Sequence, residues 1–145
     1  MKLRISTSVA QNYNQVFDQF DERLLKQLTP PGMQLKLIEF DGSKKGGVVH
    51  LEVTILRLLK QEWYNEITEF ERGEQRNYFV DEGVKLPGLF KYWRHEHSIE
   101  KDGTGTRIVD NITYKSPFLL LDWLLWPTLF LQFAYRKPIY KRMFG

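Results

Sequence analysis

Two histidines one residue apart, His95 and His97, stand in a stretch that alternates polar with apolar side chains. In an extended chain that alternation puts both imidazoles on one face with Trp93 and Ile99. The other face carries Tyr92, Arg94, Glu96, Ser98 and Glu100 and reads as solvent-facing. Three more rows mix polar with large apolar groups: Trp63, Asn65 and Ile67; Phe79 with Asp81; and Ile108, Asp110, Ile112 and Tyr114. A buried polar group without a partner costs roughly 1–3 kcal/mol, so these groups must meet each other, water or a ligand. His50, opposite Val49 and Leu51 on its own strand, is expected to be exposed.

Two imidazoles and a carboxylate can ligate zinc or iron. A network in which each carboxylate accepts a hydrogen bond from an imidazole uses the same residues without an ion, and no metal is expected. The His–Asp pairs could also move protons, since a free imidazole titrates near ~6.5 and a neighbouring carboxylate raises that value. No nucleophile elbow, phosphate loop or cofactor fingerprint occurs, and no cofactor is expected. Gly42 to Gly47 is glycine-rich but lacks phosphate-loop spacing.

The elements that position these rows follow from changes of period. Met1 to Ser8 alternates, with Leu3 and Ile5 on one face. Val16, Phe17 and Phe20 share a helical face, and Asp21 is placed to cap a second short helix carrying Leu24, Leu25 and Leu28. Thr29-Pro30-Pro31-Gly32 ends it. Strands are expected over Met33–Phe40, Val48 to about Leu56, Glu62–Glu71, Gln75–Glu82, Phe90–Glu100 and Thr106–Tyr114. Asp41 to Gly47, Arg72-Gly73-Glu74 and Asp102-Gly103 are the turn signals between them, and connections this short imply antiparallel order. Phe118 to Tyr135 reads as one long apolar helix, kinked at Pro127. The result is an α+β domain spanning 1–145. A bent sheet wrapped on a terminal helix leaves a gap that large side chains or a ligand must fill.

Four segments occur in a telling order: Trp63-x-x-x-Ile67-Thr68, Phe79-x-Asp81, Trp93-x-His95-x-His97 and Thr106-x-Ile108-x-Asp110-x-Ile112-x-Tyr114-x-x-Pro117. Together they resemble bacterial ligand-binding members of the START, polyketide cyclase and pollen-allergen superfamily (SRPBCC). The resemblance runs from Leu3 to about Arg136. It implies a helix-grip fold: a curved antiparallel sheet of about six to seven strands around a C-terminal helix, with a hydrophobic cavity between them. Members include lipid carriers, hormone receptors, cyclases and chaperone cofactors, so one activity is not implied. The ligand-binding set expected here is Trp63, Asn65, Ile67, Phe79, Asp81, Trp93, His95, His97, Asp110 and Tyr114. Leu124, Leu125 and Leu129 are expected to close the cavity from the helix. The first reading is binding or carriage of a lipid-like or aromatic small molecule. The second is a cyclase- or dehydratase-like enzyme using the His/Asp cluster for acid–base chemistry.

Composition narrows the classes. The net charge of +3 is dispersed over 145 residues, without the basic stripe of a nucleic-acid binder. Cysteine is absent, which excludes disulfides, thiolate metal sites and a cysteine nucleophile. The start of the chain lacks the apolar run of a signal peptide, so a cytoplasmic location is expected. The terminal helix is apolar nearly all round, and its outer face calls for a cover, either a membrane surface or a second copy of the chain. Arg136, Lys137, Lys141 and Arg142 follow it at once and suit an anionic lipid surface or the negative end of a helix.

Overall fold

The computed structural model describes residues 1–42 and 44–145. Strand β1 (Lys2–Val9) leads into two six-residue helices, α1 (Tyr13–Asp18) and α2 (Glu22–Gln27). The side-chain oxygens of Asn12 and Asp21 accept from the Asn14 and Leu24 amides at 2.9 and 3.0 Å. These caps satisfy amides that have no partner inside a helix. Next come β2 (Met33–Phe40), β3 (Val48–Ile55), β4 (Leu59–Arg72), β5 (Arg76–Lys85), β6 (Tyr92–Asp102) and β7 (Gly105–Lys115). Helices α3 (Leu119–Ala134) and α4 (Arg136–Phe144) end the chain. Among the described residues, seven strands form one antiparallel sheet in the order β1-β7-β6-β5-β4-β3-β2. This is the expected helix-grip architecture.

The differences from expectation lie at turns and at the C-terminus. The expected turn after β2 includes Ser43, which lies outside the described residues. The β3–β4 connection is far tighter than the sequence predicts. Leu58 N donates to Ile55 O at 3.0 Å, and the two residues between them, Leu56 and Arg57, have φ of 52° and 61°. Two successive positive φ values make a type I′ turn, whose usual occupants are Asn and Gly. The terminal helix also runs further than Tyr135. That residue has helical φ and ψ (−58° and −25°), and α4 continues to Phe144. Pro127 lies inside α3 and removes one helical hydrogen bond there.

The concave side of the sheet is covered in two patches. Around α1, α2 and α4, Val16, Phe17, Leu24, Ile99, Ile108, Tyr140 and Phe144 form one core. Around α3, Leu3, Ile5, Phe90, Trp93, Ile112, Leu129 and Phe133 form a second. Strand β6 feeds both, giving Trp93 to one and Ile99 to the other, with His95 and His97 left between. The outer face of α3 is open: Phe118, Leu119, Leu120, Trp123, Leu124 and Leu131 are 63–73% exposed. Among the described residues, no helix is long and apolar enough to cross a membrane.

On the convex face Arg94 sits among Glu69, Glu82 and Glu96. Ser98, expected on solvent, is fully buried there because Arg76 Nε donates to its hydroxyl at 2.7 Å. His50 is half-buried rather than exposed: its Nε2 lies 2.7 Å from Glu62 Oε1, and its ring packs on Tyr64.

Candidate functional site

Between the two cores the sheet and the helices bound a half-open cavity of about 280 Å³. Its apolar wall comes from alternate residues of β3, namely Val49, Leu51, Val53 and Ile55, facing Leu24, Leu25 and Leu28 of α2. Trp63, Phe79 and Trp93 add aromatic surface from the sheet, Phe90 adds more from the β5–β6 connection, and Leu125, Leu129 and Phe133 close it from α3. Asn65, Asp81, His95, His97 and Arg136 reach the same space. These polar groups form one belt across β4, β5 and β6 with Arg136 from α4, and Asp110 of β7 stands behind it.

Strand register builds that belt. Asp81 pairs with His95 across β5–β6, and His97 pairs with Asp110 across β6–β7. Each imidazole nevertheless bonds the diagonal carboxylate. His95 Nε2 lies 2.8 Å from Asp110 Oδ1, and His97 Nε2 lies 2.8 Å from Asp81 Oδ2. The directly opposite separations, His95 Nδ1 to Asp81 and His97 Nδ1 to Asp110, are both 3.8 Å. Diagonal neighbours stay within reach of long side chains on a twisted sheet. The two rings lie tilted at 34° with centroids 3.6 Å apart, and Phe79 stacks on His97 at 4.3 Å. Asn65 Nδ2 donates to the second Asp81 oxygen at 3.0 Å.

Charge in this belt follows from burial and pairing. Burial and the neighbouring His97 push His95 down to about 4, so it is neutral near pH 7. Burial opposes ionisation of Asp110, but the hydrogen bond from His95 and the charge of Arg136 win and hold it at about 2. Asp81 is likewise lowered against its burial, by the hydrogen bond from His97 and the charges of both imidazoles. An ionised carboxylate only accepts, so His95 carries its proton on Nε2 and presents a lone pair at Nδ1.

Arg136 is the residue the sequence does not disclose. There it reads as a helix-end cation; in the structure its side chain is 11% exposed and lines the cavity. Nη1 stands 3.5 Å from Asp110 Oδ1, and the guanidinium lies over the Phe133 ring at 4.3 Å. Neither Nε nor Nη1 makes a hydrogen bond among the described residues. Helical spacing was the available signal, since Leu129, Phe133, Arg136 and Tyr140 fall on one face.

Eight of the ten expected ligand-binding residues line the cavity: Trp63, Asn65, Ile67, Phe79, Asp81, Trp93, His95 and His97. Asp110 and Tyr114 do not. Asp110, 2% exposed, stands behind His95 as its hydrogen-bond partner. Tyr114 is fully buried, and its hydroxyl donates to the Asp122 carbonyl at 2.7 Å, leaving no donor for a ligand. Leu125 and Leu129 close the cavity as expected, whereas Leu124 points outward. Asp81, His95 and His97 offer ligand atoms within 4.8 Å of one another, a spacing compatible with a metal. All three already have hydrogen-bond partners inside the belt.

No family model and no curated protein matches the chain. Solved structures do. Protein Ms6760 from Mycobacterium smegmatis is 18% identical, with a TM-score of 0.74 over 99% of this chain and 90% of that one. Major latex-like protein 151 from Panax ginseng is 21% identical, with a TM-score of 0.58 over 93% and 97%. Ara h 8.0201 is 11% identical, with a TM-score of 0.59 over 96% of both chains. At these identities the likeness is one of fold. Strand order, the paired short helices and the terminal helix agree with it, and the chain has a helix-grip fold.

Proposed function

We propose that the protein binds and carries a hydrophobic small molecule, lipid-like or aromatic, in the cavity between sheet and terminal helix. One observation carries the reading: an apolar, aromatic-walled cavity of about 280 Å³ with a few polar groups converging at one side. Small-molecule sites commonly have this composition, with volumes of roughly 300–1,000 Å³. Apolar burial would supply most of the affinity, about 25 cal/mol per Å² removed from water before ordering costs.

His95, one of the two histidines on the cavity wall, favours carriage over catalysis. A general base works best with a pKa near the working pH. His95, at about 4, is a weak base near neutrality. Its carboxylate partner positions it but is itself too acidic to hold a proton there.

The test is native mass spectrometry of freshly purified protein, followed by solvent extraction and identification of what is released. The expected result is a stoichiometric apolar molecule recovered unchanged. Recovery of a chemically altered product after incubation with the extracted molecule would move the protein to the enzymatic reading.

A further inference from the structure

We infer that the cavity selects a ligand whose polar end is an uncharged hydrogen-bond donor, an alcohol or phenol hydroxyl, and rejects the carboxylate of the same skeleton. The inference rests on the binding function proposed above and concerns what that site recognises.

Beside the donors of Arg136, the polar belt holds acceptors that have no hydrogen-bond partner among the described residues. His95 Nδ1 presents a lone pair and makes no hydrogen bond among the described residues, its nearest carboxylate standing 3.8 Å away. Its tautomer is locked by the 2.8 Å bond from Nε2 to Asp110. Asn65 is oriented as well: one N–H of its Nδ2 goes to Asp81, and Oδ1 is buried without a partner among the described residues. Both residues lie on the cavity wall. A ligand hydroxyl would give His95 Nδ1 the proton it lacks, and a group without a donor would not.

Charge points the same way. Two buried carboxylates, Asp81 and Asp110, face one buried guanidinium, Arg136. With His95 neutral, the two carboxylates outnumber the one guanidinium. A ligand carboxylate would add a third negative charge beside these two buried ones, where repulsion is less screened than in bulk water. The free Nε and Nη1 of Arg136 do not reverse this balance, because Asp110 already holds that charge at 3.5 Å. Arg136 can still donate to the oxygen of a hydroxyl that itself donates to His95.

The experiment is calorimetric titration of the delipidated wild-type protein at pH 7.5 with 1-decanol, decyl methyl ether and decanoate, each below its aggregation limit. The alcohol is expected to bind about tenfold more tightly than the ether, the net worth of one buried hydrogen bond. Decanoate is expected to bind more weakly than the alcohol by at least about the same factor. In parallel, the ¹⁵N shift of His95 Nδ1 is expected in the range of an unprotonated ring nitrogen and should move with the alcohol but not the ether. Equal affinities, or tighter binding of decanoate, would overturn the head-group inference and leave the binding function standing. A protonated Nδ1 in the free protein would overturn it too. If none of the three binds, the binding function falls with it.

Discussion

Replacing His95 by Gln should erase most of the protein's loss of stability between pH 7.5 and 4. His95 is 4% exposed, and its folded pKa is lowered from 6.5 to about 4. Above 6.5 the imidazole is neutral in both folded and unfolded chains and contributes nothing to pH dependence. As the pH falls below 6.5 the unfolded chain takes up a proton that the folded one refuses. Stability therefore declines with falling pH and levels off near 4, where the folded ring also protonates. The displacement of about 2.5 units, at 1.36 kcal/mol per unit, amounts to about 3 kcal/mol. Gln keeps an amide donor for Asp110 and does not titrate. Urea denaturation followed by tryptophan fluorescence at pH 7.5, 5.5 and 4.2 measures the effect in both proteins. Titrating groups away from this cluster occur unchanged in both proteins, so their contributions cancel in the difference. Wild type should lose about 3 kcal/mol more than His95→Gln over this range. Equal losses would mean that His95 is not held neutral by its surroundings, and the acceptor assigned to Nδ1 would go with it. Below pH 3.8 the two proteins should decline together. Asp110 is depressed to about 2 in the folded state, so its contribution is present above 3.8 and lost as the pH falls toward 2.

Two further outcomes are expected. Tyr114→Phe should cost about 1 kcal/mol, the worth of the lost hydrogen bond to the Asp122 carbonyl, and leave ligand affinity unchanged; a matching loss of affinity would return Tyr114 to the site. The exposed apolar face of α3, with the exposed cations Lys137, Lys141 and Arg142 beyond it, is proposed to rest on an anionic membrane surface during loading. Leu120→Ser combined with Trp123→Ser should abolish flotation with anionic vesicles at low salt while changing stability by no more than about 0.5 kcal/mol per site. A wild-type protein that ignores such vesicles would refute the membrane contact, and sedimentation would then test self-association through the same face.

The sheet was legible because burial alternates along its strands. On β6 the period of two separates Trp93, His95, His97 and Ile99 from Tyr92, Arg94 and Glu96, and the structure keeps that division. Ser98 departs from it because a neighbouring Arg76 covers it, a contact made across strands that no single-strand pattern contains. The β3–β4 turn was illegible for a different reason. Leu56 and Arg57 carry no turn signal, and their positive φ values run against the preference of both side chains. Pairing in the ladder from Val48–Glu66 to Ile55–Leu59 closes that hairpin despite its turn residues.

The same limit explains the site. Alternation assigns a side chain to a face but not to a depth along it. Asp110, Ile112 and Tyr114 therefore looked equivalent, although α3 crosses β7 so that its Asp122 carbonyl takes the Tyr114 hydroxyl. Depth is decided by which helix lies over a given stretch of strand. Where neither apolar patch reaches, the two cores part and the polar belt is left between them. Arg136 enters that gap because the backbone stays helical through Tyr135, carrying the periodicity of Leu129 and Phe133 onward to Arg136 and Tyr140. A helix ended at Tyr135 would leave Arg136 as one more surface cation. Continued by one turn, it becomes the counter-ion of a buried aspartate and a wall of the cavity.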